Sequence, residues 1–238
     1  MSENSLQSSC LSRGIQRCGF HICVLGTIGA GKTTLTKALQ EVIAENEGRC
    51  EGFYEPVSGN PLLPLFYKDK NRYALSMQIY MLNRRLEQQI VIQDLALSGV
   101  SCVQDSSVFG DTCFVEMLAN DGVLCEEEVN VYSELFMNMS RNVMYPSLIV
   151  YINCPSEVAL SRIAKRGREF ETGIELDYLG NLNQQIKTLV AEFNRYTHCI
   201  EIDGRKDLTE DGIKDCARNV YELAKELRKQ PILNRIGV

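Results

Sequence analysis

Residues able to handle an anion recur along this 238-residue chain, and one stretch organises the rest. Gly26-Thr27-Ile28-Gly29-Ala30-Gly31-Lys32-Thr33-Thr34 fits the spacing G-x-x-x-x-G-K-[ST]. At that spacing backbone N–H groups and one lysine converge on phosphate oxygens, and the hydroxyl after the lysine can reach a divalent cation. Further along, Glu55 and Asp105 each close an apolar run, and Arg162, Lys165, Arg166 and Arg168 crowd into seven residues. Like charges at that density repel unless an anion collects them. Phosphate chemistry on a nucleoside triphosphate is the reading these types and spacings favour.

The elements must place these groups together. Ile22-Cys23-Val24-Leu25 reads as a buried strand before the loop, and Leu35, Leu39, Val42 and Ile43 recur at helical spacing after it. The loop would then join a strand to a helix N-terminus, a ready anion site. Cys50–Tyr54 reads as a second strand, stopped at Glu55-Pro56-Val57 because proline cannot continue a ladder. Glu55 is left at the carboxyl edge of the sheet, where ligands of open α/β sheets sit, and is a candidate general base. Val100–Gln104 reads as a third strand leading to Asp105, an acid suited to helping Thr33 hold Mg²⁺.

Between them a short helix opened by proline covers Asn60–Tyr67, and a long one runs from Tyr73 to about Leu97 with Leu75, Ile79, Leu82, Leu86 and Ile90 as its apolar stripe. Gln78 and Arg85 lie along one side of it, so an amide and a guanidinium could face one pocket. Helices are expected over Ser107–Ala119, Glu126–Val143, the stretch from Pro155 to the arginine cluster, Ile174–Tyr196 and Leu208–Leu227. Leu148–Ile152 and Cys199–Ile202 complete about five strands. Strands alternating with helices predict a three-layer α/β sandwich, a parallel sheet with helices on both faces.

Composition sets bounds. A net charge of −6 provides no global basic field, which argues against nucleic-acid polymers as partners and leaves a local basic pocket. Ten cysteines without C-x-x-C pairs and only two histidines offer no zinc spacing, so reduced thiols in the cytoplasm are expected. No apolar run approaches the ~20 residues of a membrane span. Residues 1–19 read as a flexible tail, with an organelle transit segment as the alternative, and 20–230 as one domain.

Taken together these residues resemble the deoxynucleoside kinase family, P-loop enzymes that phosphorylate deoxynucleosides on the 5′-hydroxyl. The match carries on Glu55-Pro56-Val57, the Gln78 to Arg85 helix, Asp105-Ser106-Ser107-Val108-Phe109-Gly110-Asp111, and Arg166-Gly167-Arg168 followed by Glu171. The wording of Asn60–Tyr67 is most similar to the bacterial deoxyadenosine/deoxyguanosine kinase branch. The resemblance implies ATP as donor, gripped by residues 26 to 34 with Lys32. It also implies Mg²⁺ on Thr33 and Asp105, Glu55 as base, and Arg162, Arg166 and Arg168 as an arginine-rich lid. By the same resemblance Tyr67 and Glu171 hold the sugar 3′-hydroxyl, Gln78, Arg85 and Asp111 read the base, and the chain forms a homodimer. Asp111 is similar to the residue of members that act on bases with an exocyclic amino group, so the resemblance implies deoxyadenosine, deoxyguanosine or deoxycytidine over thymidine.

Two positions depart from the family pattern. Ser106 stands where an arginine is usual, and Phe170 where many members have a second acid. A nucleoside monophosphate kinase of the thymidylate kinase type shares the loop, the Glu-Pro and the lid, and a catalytically impaired regulatory subunit would explain Ser106. The Gln78 to Arg85 spacing and Glu171 favour the nucleoside. The turn Gly204-Arg205-Lys206-Asp207 either meets the donor base or is a plain surface turn.

Overall fold

Five parallel strands form one sheet, β1 (His21–Leu25), β2 (Cys50–Phe53), β3 (Ser101–Asp105), β4 (Leu148–Asn153) and β5 (His198–Asp203), in the order β2-β3-β1-β4-β5. The computed structural model describes residues 18–55, 59–168, 171–207 and 209–229. Pro56, Val57, Phe170, Leu208 and residues 1–17 of the expected tail lie outside these. β1 is buried at all five of its residues, as is β3. Successive residues of a strand point to opposite faces, so burial without alternation means that both faces are covered by helices.

The register decides where the chemistry collects. Val24 of β1 faces Asp105 of β3 on one side and Val150 of β4 on the other, so the strands finish at a common edge. Strand order reverses around β1, which opens the crevice above its carboxyl end. The loop after β1 enters α1 (Lys32–Glu47), whose buried Leu35, Leu39, Val42 and Ile43 are the residues its periodicity selected. α2 (Leu63–Lys68) and α3 (Lys70–Leu97) follow β2. α3 starts earlier than the Tyr73 expected because the Asp69 carboxylate accepts the Arg72 N–H and caps it.

The stripe on α3 is also corrected. Its buried line is Ala74, Met77, Gln78, Met81, Leu82, Arg85, Leu86 and Gln89, whereas Leu75 and Ile79 are half-buried and Ile90 is 61% exposed. The helix turns polar groups inward, and the apolar residues chosen by period lie partly on its flank. A 3-10 turn (Val108–Gly110) leads into α4 (Asp111–Asn120), then α5 (Glu126–Ser140). α6 (Ser156–Arg166), α7 (Leu176–Phe193) and α8 (Glu210–Lys229) complete the chain. α8 packs on α1, α5 on α3, and α7 on α4 and α6. Among the described residues no helix is long and apolar enough to cross a membrane, and nine cysteines are free.

Candidate active site

Gly31 caps α1 with a left-handed backbone, φ 100°, and no side chain competes for the helix's first N–H groups. Gly29, φ 81°, passes so close to α6 that a Cβ there would lie 2.5 Å from the Ala159 carbonyl oxygen. Only glycine fits, and the loop is held open for an anion. The stretch 28–34 lines a cavity of about 820 Å³; Gly26 and Thr27 lie behind it, where the Thr27 carbonyl accepts the Lys32 ammonium at 3.1 Å.

The Thr33 hydroxyl donates to Asp105 Oδ2 at 2.5 Å, tying α1 to the end of β3. The other carboxylate oxygen, Asp105 Oδ1, is buried with no partner among the described residues. Burial pushes the Asp105 carboxyl above its ordinary range, against the pull of Lys32. A hydroxyl and a half-satisfied carboxylate form the hard oxygen set that suits Mg²⁺, which needs few protein ligands when phosphates supply the rest.

Two residues past β2, Glu55 Oε1 accepts from Arg85 Nη2 at 2.9 Å. Burial raises the Glu55 carboxyl, and Arg85, Lys32 and Arg168 more than offset it, so the group is held below its ordinary range. It is therefore ionised at neutral pH, the state a proton acceptor requires. Arg85, 1% exposed, also brings Nε within 2.7 Å of Asp111 Oδ1. Arg85 Nη1 and Asp111 Oδ2 have no partner among the described residues, although both side chains line the cavity with Gln78. Unpaired buried groups are costly, so this donor and acceptor are placed for a ligand edge.

Across the cavity, Gly167 ends α6 in the left-handed conformation, φ 68°. Arg162 reaches back to the phosphate loop, with Nη1 3.3 Å from the Ala30 carbonyl and Nε 2.8 Å from Asp207. Arg166 and Arg168 both donate to Glu171, which is 5% exposed. Tyr67 on α2 stands between the carboxylates; burial, then Glu171 and Glu55, push its hydroxyl upward.

Lys32, Thr33, Glu55, Tyr67, Gln78, Arg85, Asp105, Asp111, Arg162, Arg166, Arg168 and Glu171 therefore all line this cavity, and of the phosphate loop only Gly26 and Thr27 do not. Its apolar walls, Phe66, Met77, Met81, Phe114 and Tyr178, were not foreseen. Met77 and Met81 beside Gln78 and Arg85 on one helix face were the available signal. Gly204, Lys206 and Asp207 line the far end, so that turn belongs to the cavity. Ser106 does not line it: held at φ 64°, its N–H donates to the Val24 carbonyl at 3.0 Å, and the cations around Glu55 come from Arg85, Lys32 and Arg168 instead.

The sequence of residues 22–225 matches the family model described as deoxynucleoside kinase. The chain belongs to the deoxynucleoside kinase family. A deoxyadenosine kinase of Dictyostelium discoideum is 35% identical over 204 residues, 86% of this chain and 80% of the relative. A deoxyguanosine kinase of Lactobacillus johnsonii is 34% identical over 220 residues, 90% of each chain. Among solved structures, M. mycoides deoxyadenosine kinase with bound dATP superimposes with a TM-score of 0.72 at 26% identity, covering 85% of this chain and 99% of that one. As a deoxynucleoside kinase the chain is a phosphotransferase with a P-loop fold, and one cavity is lined by both the phosphate loop and the polar slot at Gln78, Arg85 and Asp111.

Proposed function

We propose that this kinase transfers the γ-phosphate of ATP to the 5′-hydroxyl of deoxyadenosine, deoxyguanosine or deoxycytidine in preference to thymidine. The observation that carries it is Glu55, an ionised carboxylate linked to Arg85 and Asp111 on one side and neighboured by Lys32 on the other, inside one cavity. Its position suits removal of the proton from a sugar alcohol whose base rests at Gln78, Arg85 and Asp111. Bases with an exocyclic amine can donate to Asp111 Oδ2, and Arg85 Nη1 can donate to a ring nitrogen or carbonyl.

The phosphate-loop amides and Lys32 hold the donor phosphates. Thr33 and Asp105 would hold Mg²⁺, which would supply charge neutralisation at the donor phosphates. Arg162, Arg166 and Arg168 spread the charge that develops on the transferred group, and Tyr67 and Glu171 receive the 3′-hydroxyl. Catalysis is thus mostly placement and electrostatics. The unit spans residues 20–230 and pairs with a second copy through α3 and α5, where Ile90, Val91, Leu97, Val131 and Met137 are exposed.

Offering the four deoxynucleosides with ATP and Mg²⁺ tests the reading. Turnover of the three amino-bearing substrates above thymidine is expected, and Glu55→Gln should lower kcat by roughly 10²–10⁴-fold while leaving ATP binding intact. Turnover of monophosphates alone would overturn it.

A further inference from the structure

Glu171 is asked to do two things at once. Its carboxylate is 5% exposed and already accepts three hydrogen bonds from the lid, Arg166 Nε at 3.1 Å and Nη2 at 2.6 Å on Oε2, and Arg168 Nη1 at 3.2 Å on Oε1. Both arginines are therefore held by a carboxylate, whereas Arg162 reaches the Ala30 carbonyl of the phosphate loop. The two holds are unequal. Arg166 grips one oxygen through two N–H groups, whereas Arg168 has one long contact and follows Gly167, where a left-handed backbone in open space lets the chain turn.

Tyr67 lies close to both Glu171 and Glu55, and all three line the cavity with Arg85 and the phosphate loop. Of the two Glu171 oxygens, Oε1 is the more open to exchange, because Arg168 holds it through a single contact at 3.2 Å. We infer that Glu171 is an exchange point: a sugar hydroxyl displaces Arg168 from Oε1 and so delivers that guanidinium to the transferring phosphoryl group. The inference rests on the sugar-binding reading of Glu171 given above. In energetic terms an arginine–carboxylate contact is traded for an arginine–phosphate contact plus a hydroxyl–carboxylate hydrogen bond, so it is favourable only when donor and acceptor are both present. With ATP alone Arg168 stays on Glu171. Water is then denied the charge stabilisation it needs to attack the γ-phosphorus, expel ADP with the bond's electron pair and pass its proton to Glu55.

Glu171 is accordingly a positioning residue for the lid as well as a sugar ligand. The first test uses the wild-type enzyme with saturating ATP and either deoxyadenosine or 2′,3′-dideoxyadenosine. Loss of the hydroxyl is expected to lower kcat by roughly 10- to 100-fold, a fraction of what an arginine at the phosphoryl group is worth, with a smaller change in KM. A change confined to KM overturns the inference and leaves the kinase reading standing; absence of turnover on any deoxynucleoside removes both. The second test is ATP hydrolysis without acceptor in Glu171→Gln, whose amide holds the arginines less firmly. A rate about fivefold or more above wild type, together with a narrowed kcat gap between the two acceptors, is expected. Hydrolysis at or below the wild-type rate overturns it.

Discussion

Asp111 shows how far a single residue's setting departs from its type. Burial pushes its carboxyl up to about 7, Arg85 pulls the other way, and the Glu55 charge adds to the rise. The buried Tyr132 hydroxyl, itself without a partner among the described residues, lies in the same electrostatic neighbourhood. Below pH 7 the folded enzyme therefore carries more of the protonated acid, which competes poorly as an acceptor for a base's amino group. The sign follows directly: kcat/KM for deoxyadenosine should rise between pH 6 and 8 along a limb centred about 7. Because ATP titrates in that range too, the measurement is the difference between wild type and Asp111→Asn at saturating ATP. The variant, with no ionising group there, should lose the limb; an unchanged profile would remove Asp111 from base recognition. Ser106 is the one residue other than glycine with a left-handed backbone among the described residues. Its left-handed backbone costs about 1–3 kcal/mol for a residue other than glycine, and this strain sits beside Asp105 at the strand end.

At the scale of elements, the sheet's central pair carries a titratable group of its own. His21 on β1 bonds through Nε2 to Gln104 Oε1 on β3 at 3.0 Å, and burial, partly offset by that bond, lowers its pKa from 6.5 to about 4. The folded state binds fewer protons than the unfolded one across that window. Stability is therefore complete above pH 6.5 and is lost as pH falls through about 4, by up to about 3 kcal/mol. Urea unfolding at pH 7 and pH 4.5 should show a larger loss for wild type than for His21→Gln, which keeps a hydrogen-bonding side chain and cannot titrate there. The comparison between the two proteins cancels Asp111, whose raised pKa acts in the opposite direction. Element order, parallel pairing and the gathering of Glu55, Asp105 and the phosphate loop at one sheet edge were legible in the sequence, because strand runs such as Ile22–Leu25 and loop glycines are local signals. The long-range polar packing was not. Spacing puts Gln78 and Arg85 along one side of α3 and Ile90 inside, but it does not show that the fold buries both polar side chains in the cavity wall, draws Gln89 in against the Met144 carbonyl and leaves Ile90 exposed. The apolar walls at Phe66, Phe114 and Tyr178 come from three different helices, and no single window of sequence brings them together.

For the whole molecule, charge and exposure separate into two regions. A chain of net charge −6 gathers Lys32, Arg85, Arg162, Arg166 and Arg168 at one sheet edge, where each lies near a carboxylate or the phosphate loop. The flank built from α3 and α5 is different: Ile90 and Met137 are each 61% exposed, Leu97 is 57%, and Val91 and Val131 are 48% and 49%. Large exposed apolar residues concentrated on two helices that pack together are unusual for a monomer's surface. A two-fold partner would place the same pair of helices against itself, closing a bundle of four. At 28 residues α3 is about 42 Å long, enough for an interface of about 800 Å² per subunit. Sedimentation equilibrium at micromolar protein should give twice the 26.8 kDa chain mass, and Ile90→Glu with Met137→Glu should shift it to one. Because that face is remote from Lys32 and Glu55 in sequence and lines no part of the cavity, nucleotide binding should survive in the monomer. A wild-type mass of one chain across that range would show that the exposed flank serves something other than self-association.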